Sequence, residues 1–344
     1  MSGAVRQRFA DSRWHFQHGP IDCIVAAEGE AGAAAECIDH AWSRFRGVLD
    51  ELVAELPMLR ADLSLPTAAS IAPRGSVARR MVAACRPHAK EGRFITAMAA
   101  VAGSVAEALI ASFDDPRIHC AYVNNGGDIA LVLNGGAHYD VGVVSDLIAP
   151  SLGHPERSEG PRLPPTLAGR FRLTAESAVR GIATSGWRGR SFSLGIADSA
   201  TVLAATASAA DAAATLVANA VDIDDARIAR APASSLRDNS DLGDRLVVRH
   251  VPALPDRLVH DALDRGATEA RAQIRAGRII AAVLSLQGRW RVVGDVEATL
   301  TPALSRPAGE GDRLPPSPRA WGEGRGEGRA PMLTFTATEP EKTC

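Results

Sequence analysis

The stretch "IHCAYVNNGGDIALVLNGGAHYDVGVV", Ile118 to Val144, decides how the chain folds. Three runs of β-forming residues, 118–123, 129–133 and 139–144, are separated by "NNGGD" and "NGGAH". Asn-Gly and Gly-Gly supply the positive φ angles that tight hairpin turns need, so the spacing predicts an antiparallel meander. The first turn admits a second reading. Gly126 and Gly127 have no side chains to keep a phosphate or flavin away from their N–H groups, and Asp128 can accept from a ribose or amide.

Working outward, residues 22–27 have strand character. Between 30 and 56, Ala35, Ile38, Trp42, Phe45, Val48, Leu49, Leu52 and Leu56 recur at steps of three and four, the period of an amphipathic helix. A second helix is expected over 77–85, ending before Pro87. A third covers "FITAMAAVAGSVAEALIASF", whose first half is almost all small residues that let a backbone approach another helix or a ligand. On the far side of the meander, "GIATSG" and "TVLAATA" predict two strands and residues 208–220 and 258–276 two helices. "RIIAAVLSL" and "WRVVGDV" form a last strand pair turning at Gln287-Gly288. Long helices interleaved with hairpins, without strict β-α-β alternation, favour an α+β domain with an antiparallel sheet and packed helices.

Two stretches break this pattern. Residues 151–165 and 301–330 are rich in Pro, Gly and Arg without apolar period, and both contain "EGxRLPP". Such composition predicts disorder. The shared phrase looks like translated repetitive DNA accepted by a surface loop and a terminus, with an interaction arm as the rival reading. The organisation expected is one domain over residues 1–300 carrying a low-complexity insertion at about 151–168, then a disordered tail over 301–344.

The 344 residues are 46% hydrophobic, enough for a sizeable core, and 38 Lys+Arg against 40 Asp+Glu give no bulk field for nucleic acid or an anionic membrane. Cys23, Cys37, Cys85, Cys120 and Cys344 are scattered without a CxxC pair, which suggests reduced thiols. The first residues lack an apolar signal region and no run of about 18 apolar residues occurs, so a soluble, cytoplasmic protein is expected. The nine histidines show no HxxxH or HxH spacing.

Two further segments carry candidate chemistry. "GIATSG" ends a strand in Thr184, Ser185 and Gly186, whose hydroxyls and backbone N–H can bind phosphate oxygens or cap a turn. In "ASAADAAATLVANA", Asp211 and Thr215 project from one helical face and offer the hard oxygen that Mg²⁺ prefers. Ser208 and Asp211 equally fit a capping box. Trp187 and Arg188, next to the T-S-G segment, can clamp a ligand or form an exposed loop pair.

In order, "AMAAVAGSVAEAL", "VNNGGDIAL", "GIATSGWRGRSFSLGIADSATVLAATASAADAAATLVANAV" and "GRWRVVGDVEA" resemble the ApbE-like superfamily, best known for FAD:protein FMN transferases. The similarity is closer to its cytoplasmic branch, a family of uncharacterised function, and runs with gaps over about residues 13–298. It implies magnesium held by Asp211, Thr215 and the Ala102 carbonyl, and FAD lying on Gly126, Gly127 and Asp128 with Thr184, Ser185 and Gly186 lining the same cleft. By that resemblance the partners are a flavin or nucleotide-like small molecule and a protein acceptor for FMN; the charge balance and the lack of a long apolar run point to no nucleic acid and no membrane. One departure stands out. The transferases carry H-x-I-D-P after T-S-G, whereas this chain reads "SFSLGIADS", with Ser193 where an imidazole is expected and Asp198 as the candidate for the aspartate. A non-catalytic flavin- or metabolite-binding protein and a scaffold or assembly factor are the alternatives to a transferase.

Overall fold

The computed structural model describes residues 3–89, 92–146, 166–294 and 334–338. The chain opens with strands β1 (Val5–Arg8), β2 (Trp14–His18) and β3 (Ile21–Gly29). Helices α1 (Ala33–Phe45), α2 (Val48–Ala54), α3 (Leu56–Leu59), α4 (Ser76–Ala89) and α5 (Val101–Ile110) follow. Then come β4 (Ile118–Asn125), β5 (Asp128–Leu133), β6 (His138–Asp146), β7 (Thr166–Thr174), β8 (Gly181–Ser185), β9 (Ser199–Ala204) and helix α6 (Ala207–Ala220). The remaining elements are β10 (Ala229–Pro232), β11 (Leu246–His250), helix α7 (Asp256–Arg275), β12 (Ala281–Leu286), β13 (Arg289–Val293) and β14 (Thr334–Thr338). The class is α+β.

Nine strands form one wholly antiparallel sheet in the order β1-β2-β3-β4-β5-β8-β9-β12-β13. Strand alternation sorts its side chains onto two faces. From β4, Ala121 and Val123 join the core under α1, α2, α4 and α5, while Cys120 and Tyr122 point to the opposite face. From β9 and β12, Ala200, Val202, Ala282 and Leu284 pack under α6 and α7. On the opposite face Leu203, Ala281 and Val283 join Tyr139 and Val141 of β6 and Phe171 and Leu173 of β7. Four cysteines, Cys23, Cys37, Cys85 and Cys120, are free and buried.

The meander expectation holds for its first two strands and needs correction for the third. β4 and β5 pair directly, but β6 leaves the large sheet for a small one in the order β14-β6-β7. The free edge of β5 is taken instead by β8, through Ile129 opposite Ile182 and Ala130 opposite Gly181. Gly135 and Gly136, both at positive φ, redirect the chain between β5 and β6.

Three helix expectations also change. The single helix over 30–56 breaks at Arg46-Gly47 into α1 and α2, a position where glycine is a poor helix former, and Ala35 is exposed on the outer side. α4 runs through Pro87 to Ala89 because Cys85, His88 and Ala89 in its last turn are buried, and that packing outweighs the proline penalty. In the small-residue segment, residues 97–100 form a 3₁₀ turn and the α-helix begins only at Val101. The two repetitive stretches, 151–165 and 301–330, lie wholly outside the described residues. Residues 166–168 belong to β7, and Thr334–Thr338, within the segment expected to be a disordered tail, is the strand β14.

Candidate functional site

The turn at "NNGGD" is built from its two glycines. Asn125 stands opposite Asp128 in the β4–β5 register, leaving Gly126 at φ 66° and Gly127 at φ 111° as the two-residue loop. Two positive φ angles in succession are costly for other residues. The Gly127 N–H donates to Asn124 Oδ1 at 2.8 Å, so Gly127 serves the turn. Gly126 and Asp128 face a cavity of about 320 Å³.

That cavity gathers Ala102, Gly126, Asp128, Thr184, Ser185, Gly186, Arg188, Asp198, Asp211 and Thr215, and of the candidates the sequence offered it leaves out Gly127 and Trp187. Residues from four elements converge there because β8 lies beside β5 in the sheet while α5 and α6 pack against each other above it. On α6, Asp211, Thr215 and Asn219 recur every four residues and all line the cavity. The capping-box alternative for Asp211 fails. Thr206 is the N-cap and accepts from the Ala209 N–H, while the Ser208 N–H and hydroxyl both donate to Glu107 of α5.

Asp211 instead reaches across to α5. Its Oδ2 accepts from the Gly103 N–H at 2.9 Å, satisfying one of the donors that the first turn of a helix leaves unpaired. This close approach requires glycine, since a methyl group at 103 would collide with the Ala207 backbone. Beside it, the buried Asn125 amide donates to the Ala102 carbonyl at 3.1 Å. Asp128 accepts from the Thr184 N–H at 3.1 Å. Burial pushes the Asp128 carboxyl up to about 7 against a Thr184 hydrogen bond and the Arg190 charge. Asp211 is likewise pushed well above the usual carboxylate range, first by burial and then by the nearby Asp128 charge.

These residues suit a divalent cation. Two desolvated carboxylates, of which the Asp128 charge raises the Asp211 pKa, the Thr215 hydroxyl and the Ala102 carbonyl are all hard oxygens, and a small dication would relieve the repulsion between the carboxylates. Among the described residues no group of three or more His, Cys, Asp or Glu forms a metal cage. The set therefore fits a cation that leans on one or two carboxylates and on ligand oxygens, the habit of Mg²⁺. Asp211 interacts with the Gly103 and Ala102 N–H groups, and a carboxylate's roughly four lone-pair sites leave room for a cation besides.

The T-S-G segment is partly engaged. The Thr184 hydroxyl shares a hydrogen bond of 2.9 Å with Thr201, whereas Ser185 and Gly186 border the cavity. Asp198 sits at the cavity wall but is held by three donors: Trp187 Nε1 at 3.1 Å, Arg188 Nε at 3.1 Å and the Gln287 N–H at 2.6 Å. Arg188 also lies over the Trp187 ring, so this trio locks the loop after β8. Ser193 is buried outside the cavity lining, its hydroxyl donating to the Gly195 carbonyl at 3.0 Å. The sequence reading missed Asn125, Arg60, Arg190, Arg237 and Asp241, all of which line the cavity. Asn125 had a signal in its place beside the glycine turn. The others come from loops whose pattern gives no sign of the cleft.

No helix among the described residues is long and apolar enough to cross a membrane. The family model described as "AbpE bacteria" matches residues 6–292. The UPF0280 protein of Methanothermobacter thermautotrophicus is 30% identical over 207 residues, which cover 59% of this chain and 72% of that one. The UPF0280 proteins of Methanocella arvoryzae and Methanosphaerula palustris are 34% and 30% identical, over 57% and 61% of this chain and 69% and 77% of theirs. The crystal structure of the ApbE protein from Thermotoga maritima aligns over 87% of this chain and 97% of its own, at 12% identity and a TM-score of 0.38. Matched from the first strand to the last strand of the nine-stranded sheet, the chain belongs to the AbpE bacteria family.

Proposed function

We propose that the cleft binds a flavin nucleotide, with FAD the form of first choice, through phosphate groups and a divalent cation seated against Asp211, Thr215 and Asp128. The observation that carries this reading is the convergence in one cavity of two carboxylates, a hydroxyl, a backbone carbonyl and several arginines. That combination suits a cation and an anionic ligand together. The membership of an ApbE-like family supports flavin as the ligand class. Mg²⁺ bound there would neutralise a diphosphate and favour departure of a phosphate leaving group. The chain's own residues supply the rest: Asp211 is fixed by the Gly103 N–H, Asp128 by the Thr184 N–H, and Asn125 orients the Ala102 carbonyl.

Binding without transfer is the second reading, and two observations favour it. Ser193 faces the interior, and Asp198 is occupied by three donors, so neither is free to move a proton for an acceptor hydroxyl. Calorimetric titration with FAD, with and without Mg²⁺, in the wild type and Asp211→Ala tests the first reading. Metal-dependent binding lost in the variant supports it, and flavin affinity indifferent to both metal and Asp211 overturns it. Incubation with FAD, Mg²⁺ and candidate acceptor proteins separates transfer from binding, through covalent flavin on the acceptor.

A further inference from the structure

Four arginines line the cavity, and they are not equivalent. Arg188 is neutralised by Asp198 at 3.1 Å and stacked on Trp187. Arg60, Arg190 and Arg237 form no ion pair with any carboxylate among the described residues. Asp241, which also lines the cavity, accepts from the Thr96 hydroxyl at 2.5 Å, and the Arg190 charge is felt by Asp128 without an ion pair forming.

Each of the three is presented by a braced segment. Arg60 closes the short helix α3. Arg237 sits on a loop fastened at Ser234 N–H to the Gly243 carbonyl, at Asp241 to Thr96, and at Arg245 to Asp62. Its guanidinium lies 5.1 Å over the Phe192 ring, a stacking that occupies its face and leaves the N–H edge available. Arg190 passes so close to the glycine turn that a methyl group on Gly126 would strike its guanidinium. Gly126 thus serves two purposes, the turn and the seat for this arginine.

We propose that Arg60, Arg190 and Arg237 form a second anion subsite in the cleft that works without metal, and that the ligand carries a phosphate or carboxylate group there besides the oxygens at the cation. The charge balance supports it. With a dication set against Asp128 and Asp211, three guanidinium charges face the one carboxylate of Asp241, and a ligand dianion balances the remainder. Guanidinium edges bind such groups bidentately, and in a walled cleft those bonds strengthen. The charge balance and the identity of the full ligand rest on the reading above; the placement of the three unpaired arginines does not.

The test uses the intact protein with inorganic tripolyphosphate as the probe, in EDTA, followed by titration calorimetry at low and at moderate salt. Wild type should bind, more weakly at the higher salt, and Asp211→Ala should bind at least as well. Arg190→Gln and Arg237→Gln should each lose about tenfold in affinity, and Arg190→Lys less, because one charge-assisted bond carries that order of effect. These side chains are exposed, so the variants should keep the wild-type unfolding midpoint. Failure of the wild type to bind tripolyphosphate without metal overturns the subsite, as does unchanged affinity in both glutamine variants. Tripolyphosphate binding alongside no FAD binding would sink the flavin reading and leave the subsite standing. FAD and Mg²⁺ binding indifferent to the arginines would do the reverse.

Discussion

Gly103→Ala is the substitution that ties the packing of the helices to the cleft most directly. A Cβ at this position would lie 2.7 Å from the Ala207 carbonyl carbon and 2.9 Å from Asp211 Cβ, with the Ala207 oxygen nearer still. These are backbone and first-carbon atoms of α6, so no rotamer change relieves the clash and α5 must move away. Overpacking of this kind costs about 1–3 kcal/mol. The displaced Gly103 N–H to Asp211 bond, with a charged acceptor, adds about 1.5–3 kcal/mol. Better helix propensity returns up to about 1 kcal/mol. The net expectation is a loss of about 1.5–6 kcal/mol, a large share of the roughly 5–15 kcal/mol that holds a typical domain together. Urea unfolding followed by circular dichroism would show it as a lower midpoint with an unchanged slope. Gly47→Ala is the control, because φ is −96° there and nothing lies within 4 Å of the added carbon. It should be neutral or stabilising by up to about 1 kcal/mol. Divalent-cation affinity should fall in Gly103→Ala and hold in Gly47→Ala. A Gly103→Ala protein within about 0.5 kcal/mol of wild type, the range of an ordinary surface change, would refute the close approach of α5 to α6 and the anchoring of Asp211 that depends on it.

Burial raises the Asp128 carboxyl from 3.8 to about 7, so as pH falls the native state takes up this proton before the unfolded chain does. Its contribution is therefore destabilising above about pH 7 and fades as the pH falls toward 3.8. Asp128→Asn should be the more stable protein at pH 8, by at most about 4 kcal/mol, and match wild type near pH 4; denaturant midpoints across that range check the sign. For Asp198→Ala, loss of the acceptor for Trp187, Arg188 and Gln287 should cost about 2–4 kcal/mol and shift tryptophan fluorescence. Cation affinity in that variant should stay within about threefold, and a complete loss would give Asp198 a direct part in the site. Asn125→Ala leaves the Ala102 carbonyl without its amide partner and should lower the urea midpoint by the equivalent of about 1–2 kcal/mol.

What the sequence shows of this cleft depends on how far apart the interacting residues are. The Gly126-Gly127 turn was legible because both positive φ angles belong to adjacent residues with no side chain. The shared face of Asp211 and Thr215 was legible because helical period is local. The cap of α6 was not. Ser208 has the right chemistry for the position, but Glu107, 101 residues earlier, accepts from both its N–H and its hydroxyl, and Thr206 caps instead. Strand order escaped for the same reason. β5 and β6 alternate as a hairpin would, yet β8 fits the edge of β5, and the alternation of a single strand names no partner. Arg190 shows how the two kinds of information meet. Nothing in "SGWRGRSF" marks that arginine for the cleft, and nothing in "NNGGD" asks for more than a turn. Only when β8 is laid beside β5 does the missing side chain at Gly126 become the space into which the guanidinium fits. A residue at 126 other than glycine would therefore damage the turn and displace the arginine together. That joint failure distinguishes a glycine retained for a binding site from one retained for a bend.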